Sequence, residues 1–220
     1  MSSKVLIIAE HDGKTLNSAT ARAVNCAQAL AASEVAIAVL TDGGDAVCRE
    51  AAAIAGVTRV RRVARAENAH TVAAVLAPQI AALAKEYTHV LFPGTTFGKD
   101  TMPRVAALLG VGAVSDIMHV VDAHTFDRPV YAGNAIVTVT VDAPIIVGTV
   151  RSASFPAAKN GGANAPIEDA KLDVALPNHT VFKGVTGEKS ERPDLQSSAR
   201  VISGGRGVGS KENFAVIYSL

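Results

Sequence analysis

A three-layer α/β fold, with helices flanking a mostly parallel sheet of the nucleotide-binding-like kind, is predicted by three observations. Short runs rich in Val, Ile and Leu alternate with longer Ala-rich segments of helical period, which is the pattern of successive βα units. The first run, residues 5–9 (VLIIA), is apolar throughout, as a strand covered on both faces should be. After residue 117 the chain turns to short β-rich runs with hairpin-length links, which adds antiparallel strands.

Each element can be justified in order. Residues 10–16 follow the first strand, placing His11 and Asp12 at the sheet edge where ligands gather in open α/β folds, although a solvated loop is the plainer reading. The next helix sets Leu16, Thr20, Ala23, Ala27 and Leu30 on one face, with Asn17 or Ser18 as its cap. A second strand is expected over 35–40, then a turn at Asp42-Gly43-Gly44 and a helical stripe of Val47, Ala51, Ile54 and Ala55. Residues 60–63 read as a short strand. Residues 68–85 carry Val72, Leu76, Ile80 and Leu83 in helical register, with Pro78 requiring a kink or a late start.

A fourth strand, 89–92, leads into a Gly-rich turn, 93–100, ahead of a helix containing 102–109. Such a turn can offer backbone N–H groups to an anion, so Thr95 to Lys99 are candidate nucleotide contacts. It has neither GxGxxG nor GxxxxGK[ST], and a close-packed structural turn is an equal reading. Beyond Asp116, residues 118–121, 130–131, 135–141 and 145–150 read as strands, linked by Asp127-Arg128-Pro129 and Asp142-Ala143-Pro144. Residues 155–170 read as a surface loop, and the polar stretch 186–193 as a boundary between an N-terminal domain, 1–190, and a segment, 191–220, that opens a second domain.

In that last segment, 199–202 reads as a strand, 203–210 as a Gly-rich turn and 211–220 as the start of a helix. This is the layout of a phosphate cradle: Gly204, Gly205 and Gly207 allow close backbone approach, and Arg206 can form paired hydrogen bonds to a diphosphate. A Walker loop would end Gly-Lys-Ser/Thr, whereas here Ser210 precedes Lys211, and a Rossmann turn would have a third Gly where Ser210 stands. A nucleotide-binding βαβ unit needs roughly 30 residues, more than remain here, so a partial unit is expected.

Composition excludes other classes. Hydrophobic residues make up 49% and charged residues 19% of the 220, which suits an ordered globular core. The net charge of +1 gives no field for nucleic acid, and the group Arg59, Arg61, Arg62 and Arg65 is read as a solvated strand end. Cys26 and Cys48 lie in helical segments without CxxC or metal-type spacing, so buried free thiols are expected and no metal site is assigned. No apolar run approaches the length of a membrane span, and the N-terminus carries no leader pattern.

With those residues in view, the chain resembles the alpha subunit of electron-transfer flavoproteins. The resemblance rests on separated blocks in the family's order: residues 5–11 (VLIIAEH), 87–117 (with FGKxxxPRVA and SDI), 131–135 (YAGNA), 150–157 (VRSASFPA) and 203–214 (SGGRGVGSKENF). It implies a heterodimer of alpha and beta subunits that is an electron carrier and not itself an enzyme. FAD would be held on alpha's C-terminal domain, with Arg206 and its neighbours Ser203, Gly204, Gly205 and Gly207 as contacts, while AMP belongs to the beta subunit. FAD suits such work because it accepts and releases electrons singly. The resemblance further implies electron donors such as acyl-CoA dehydrogenases of fatty-acid oxidation, a membrane quinone oxidoreductase as acceptor, and a place in the mitochondrial matrix or the cytoplasm of a bacterium. Family members continue past the ENF block, so the chain is expected to hold the N-terminal domain and the opening turn of the FAD-binding domain, and not to retain FAD by itself. Two other functions remain open at this point: a free-standing adenine-nucleotide-binding domain using His11, Asp12 and Thr95 to Lys99, and a purely structural partner domain.

Overall fold

The sequence KVLII forms strand β1 (Lys4–Ile8), and from Val5 onward it is completely buried because helices cover both faces of the sheet. Its odd residues, Val5 and Ile7, enter one core with Val24 and Val47, while Leu6 and Ile8 enter a second core with Leu76, Ile80 and Val105. The alternation within one apolar strand thus builds a three-layer sandwich. The computed structural model describes residues 2–161, 164–186, 195, 198 and 200–220. They fall into two units, Met1–Lys183 and Gly184–Leu220.

In the first unit, helix α1 (Ser18–Ala29) is capped by Asn17, whose side chain accepts from the Ala19 amide at 2.9 Å. Strand β2 (Glu34–Thr41), helix α2 (Asp45–Ala52) and strand β3 (Arg59–Ala64) follow as the periodicity predicts. Helix α3 (Ala73–Ala84) begins after a short 3-10 turn at Ala66–Ala69, later than residue 68, but Pro78 lies inside it and does not set its start. Strand β4 (His89–Pro93) and helix α4 (Thr96–Leu109) come next, then β5 (Ala113–Ile117), which the sequence reading did not mark as a strand.

The antiparallel strands form a sheet of their own: β6 (His119–Val120), β7 (Thr125–Val130) and β8 (Ala135–Thr140). Strand β9 (Ile146–Val150) then returns to the main sheet, parallel to both β4 and β5. The link Asp142-Ala143-Pro144 therefore joins two sheets and makes no hairpin. Nor is Asp127-Arg128-Pro129 a link, since all three residues lie within β7. Pro129 is tolerated there because β6 pairs only as far as Asp127, leaving its backbone nitrogen without a ladder partner on that side.

Residues 155–170, expected to be loop, contain a tenth strand, β10 (Ile167–Asp169), parallel to β3. The seven-stranded sheet runs β10-β3-β2-β1-β4-β9-β5, with every pairing parallel. The arginines of β3 hold its edge: Arg62 clasps Asp169 at 2.6 and 3.1 Å and also meets Asp45, Arg59 pairs with Glu34 and Glu168, and Arg61 pairs with Glu86. Their charges are spent on neighbouring carboxylates along a strand paired on both sides, where the sequence suggested a solvated strand end. Both cysteines are free and buried, and burial pushes the Cys26 thiol up to about 12 and the Cys48 thiol up to about 11.

In the second unit, 3-10 turns at Arg206–Val208 and Glu212–Phe214 precede a single helical turn, α5 (Ala215–Tyr218). The strand expected over 199–202 does not form at Arg200, Val201 or Ile202, and Ala199 lies outside the described residues. Val201 and Ile202 are more than half exposed, and no described strand pairs with them. The boundary expected over 186–193 falls, beyond Thr186, on residues outside those described.

Candidate functional site

Two places in the chain had the chemistry to hold an anion, and the structure treats them differently. The first is the crevice at the C-terminal ends of β1 and β4, where the strand order reverses and ligands bind in open α/β sheets. Here the supposed turn 93–100 is largely the beginning of α4, with Thr95 as its N-cap accepting from the Gly98 amide at 3.4 Å. Gly98 sits inside the helix because a Cβ there would overlap the Pro93 carbonyl oxygen, and a Cβ on Gly94 would come to 2.5 Å from the Val150 oxygen. These glycines serve packing.

Glu10, on the loop after β1, brings its carboxylate to the same helix start and accepts from the Thr95 hydroxyl at 2.7 Å. Burial raises the Glu10 carboxyl above its ordinary range, opposed by that hydrogen bond. The helix N-terminus thus already has a resident acid where a phosphate would have to sit. His11 is committed too: its Nε2 donates to the Leu40 carbonyl at 2.9 Å and its Nδ1 accepts from the Gly13 amide at 3.1 Å, which fixes the neutral tautomer. Burial is the main cause of its lowered pKa. Asp12 accepts from the Lys14 and Thr15 amides at 2.8 and 2.7 Å, and those bonds hold its carboxyl low. Of the residues of the adenine-nucleotide reading, His11, Thr95 and Phe97 are half-buried and Gly98 is buried, whereas Asp12, Thr96 and Lys99 are exposed.

The second place is the Gly-rich turn of the second unit. Ser203, Gly205, Arg206 and Gly207 are exposed, and Gly204 is half-buried. Gly204 is held by packing, since a Cβ would lie 2.8 Å from Val208 Cγ2 and 2.9 Å from Phe214 Cε1. Gly205 and Gly207 differ, having nothing within 4 Å of a built Cβ. A hollow of about 630 Å³ opens here, lined by Gly205, Arg206, Ser210, Lys211, Phe214 and Tyr218 among others. The amides of Val208, Gly209 and Ser210 are used within the turn, bonded to the carbonyls of Gly205, Arg206 and Val208 at 3.0 to 3.1 Å. Meeting an anion here would also involve the side chains around the hollow.

The side chains suit that task. Arg206 and Lys211 have no carboxylate partner among the described residues. The nearby Glu212 carboxyl is held below its usual range by its own backbone N–H and by the Ser210 hydroxyl. Two cations without a carboxylate partner among the described residues and an open Gly205 fit a diphosphate, and Phe214 and Tyr218, ring centroids 6.4 Å apart, give the hollow an aromatic wall. The structure brings Gly205 and Arg206 into one hollow and leaves Ser203, Gly204 and Gly207 out of its lining. The sequence reading missed Lys211, whose only signal was a cation at the start of a helix directly after a glycine turn.

Comparison with known proteins agrees with the blocks read from the sequence. Residues 5–175 match the family model described as the electron transfer flavoprotein domain. The electron transfer flavoprotein subunit alpha of Pseudomonas aeruginosa is 41% identical over 216 residues, which cover 98% of this chain and 69% of that protein. The subunit alpha of Paracoccus denitrificans is 43% identical over 217 residues, with coverages of 98% and 69%. The mitochondrial subunit alpha of Dictyostelium discoideum is 38% identical over 233 residues, covering 99% of this chain and 65% of that protein. Both bacterial and mitochondrial proteins are thus among its relatives, and no helix among the described residues is long and apolar enough to cross a membrane. The chain belongs to the electron transfer flavoprotein family and is an alpha-type subunit of such a flavoprotein.

Proposed function

We propose that the chain pairs with an electron transfer flavoprotein beta subunit and that the turn 203–207 belongs to the FAD site of the heterodimer, as part of a second domain that begins near residue 190. The observation that carries this is Arg206, an arginine without a carboxylate partner among the described residues, beside the open Gly205 in one hollow. Its guanidinium would hold the diphosphate by charge-assisted hydrogen bonds, and Ser203, Gly204 and Gly207 would shape the turn that presents it. FAD, when bound, supplies one-electron and two-electron transfer. The protein's part is to hold the diphosphate and fix its direction of entry.

The electrons would come from dehydrogenases, acyl-CoA dehydrogenases among them, and pass to a membrane-bound quinone oxidoreductase, with AMP held by the beta subunit. The Glu10 carboxyl at the start of α4 supports that division, because an acid beside the helix N-terminus disfavours a phosphate there. Co-expression of this chain, extended to the length of the relatives it matches, with the cognate beta subunit tests the reading. A yellow complex with one FAD per heterodimer, released on denaturation, is expected; a stable complex without flavin would refute the cofactor assignment, and no complex at all would refute the partner.

A further inference from the structure

Arg206 is not the only cation facing the hollow. Lys211 lines it as well, five residues on, directly after the Ser210 hydroxyl. Neither cation is paired with a described carboxylate; Glu212, next to Lys211 in sequence, keeps its charge but is engaged by its own backbone N–H and by Ser210. Two like charges around one space repel each other, an arrangement a protein tolerates at a surface but profits from only when an anion lies between them. A diphosphate carries two negative charges, and a single guanidinium fork meets one face of it.

Resting on the FAD reading above, we propose that Lys211 is a second cationic anchor for the diphosphate, sharing the load with Arg206. The two contribute differently. Arg206 gives planar, paired hydrogen bonds that set orientation, whereas the Lys211 ammonium acts as a mobile point charge that draws the anion in and weakens as salt screens it. Lys211 is exposed, so its replacement leaves the fold intact.

The test measures FAD dissociation constants, by flavin fluorescence, for the assembled heterodimer at two ionic strengths, together with the power of inorganic pyrophosphate to slow FAD rebinding. Lys211→Gln should weaken FAD by about threefold to tenfold at low salt, Lys211→Glu by more, and Lys211→Arg should restore affinity. The gap between wild type and Lys211→Gln should narrow at high salt, and pyrophosphate should compete less well with the glutamine variant. If Arg206→Ala weakens FAD but Lys211→Gln matches wild type at both ionic strengths, the second anchor is refuted and the FAD site stands. If neither variant changes affinity, the FAD reading of the turn fails with it.

Discussion

Glu10 accepts a 2.7 Å hydrogen bond from the Thr95 hydroxyl, joining the loop after β1 to the cap of α4. That contact places a carboxyl group at the switch-point crevice and ties it to the helix start. Thr95→Ala removes the cap and leaves the half-buried Glu10 without its donor. It should lower stability by about 1 to 2 kcal/mol in denaturant unfolding. An unchanged midpoint would show that the contact contributes nothing.

The two sets of glycines should respond oppositely to alanine. Gly98→Ala drives a methyl into the Pro93 carbonyl at the heart of the α4 start, and a loss of about 3 kcal/mol or more is expected. Gly205 has φ −102 and ψ −167, which any residue adopts, and nothing within 4 Å. Gly205→Ala should leave unfolding unchanged while weakening FAD in the heterodimer, because its methyl enters the hollow. Equal stability of the two variants would contradict the packing role of Gly98.

Buried histidines set a pH dependence. His89 is 2% exposed, with Nε2 donating to the Ala123 carbonyl at 2.7 Å and Nδ1 2.8 Å from the Thr88 hydroxyl, and burial lowers its pKa, as it does for His11. Above 6.5, the ordinary value, both are neutral whether the chain is folded or not, so folding incurs no penalty. As pH falls through 6.5 the unfolded chain takes up protons that the folded one refuses, and stability drops until the lower folded pKa is reached. Unfolding midpoints at pH 7.5 and 5.5 (roughly one unit either side of the free histidine value) should differ, and His89→Gln should reduce the difference. A flat profile for the wild type would contradict it.

Much of this fold was legible because period and burial coincide. β1, β2 and α1 follow directly from apolar runs and a capped helical stripe. The start of α4 was not, because PGTTFGK has the composition of a turn, and only the close approach of Pro93 explains why a helix needs glycine there. β10 was missed because its three residues offer one apolar side chain and are held by Arg59 and Arg62, more than 100 positions away in sequence. The sheet to which β9 belongs cannot be read from its own residues, since pairing partners leave no local trace. At the site, Arg206 was marked by its motif, whereas Lys211 became visible only when folding placed both cations around one hollow.

Limited proteolysis should separate the two units. Lys183 is exposed and lies in no regular element, while Arg61 and Arg62 are tied into paired strands. Trypsin should cut at Lys183 well before Arg59, Arg61 or Arg62, as read by mass spectrometry of early fragments. Early cleavage within β1 to β3 would contradict the sheet described here.

The 220-residue chain purified alone should be colourless. Tight cofactor binding requires roughly 70–90% of the ligand surface to be enclosed, and the turn holding Arg206 is exposed at Ser203, Gly205 and Gly207. A yellow preparation with stoichiometric flavin would mean that FAD is held by residues described here as scaffold.

The central claim is that Arg206 holds the flavin's diphosphate, and the most direct measurement is the FAD dissociation constant of the heterodimer with and without that guanidinium. Arg206→Ala should raise it by about tenfold or more, the equivalent of roughly 1.5 to 3 kcal/mol for a charge-assisted pair, with unchanged unfolding. Equal flavin retention by variant and wild type would contradict the account.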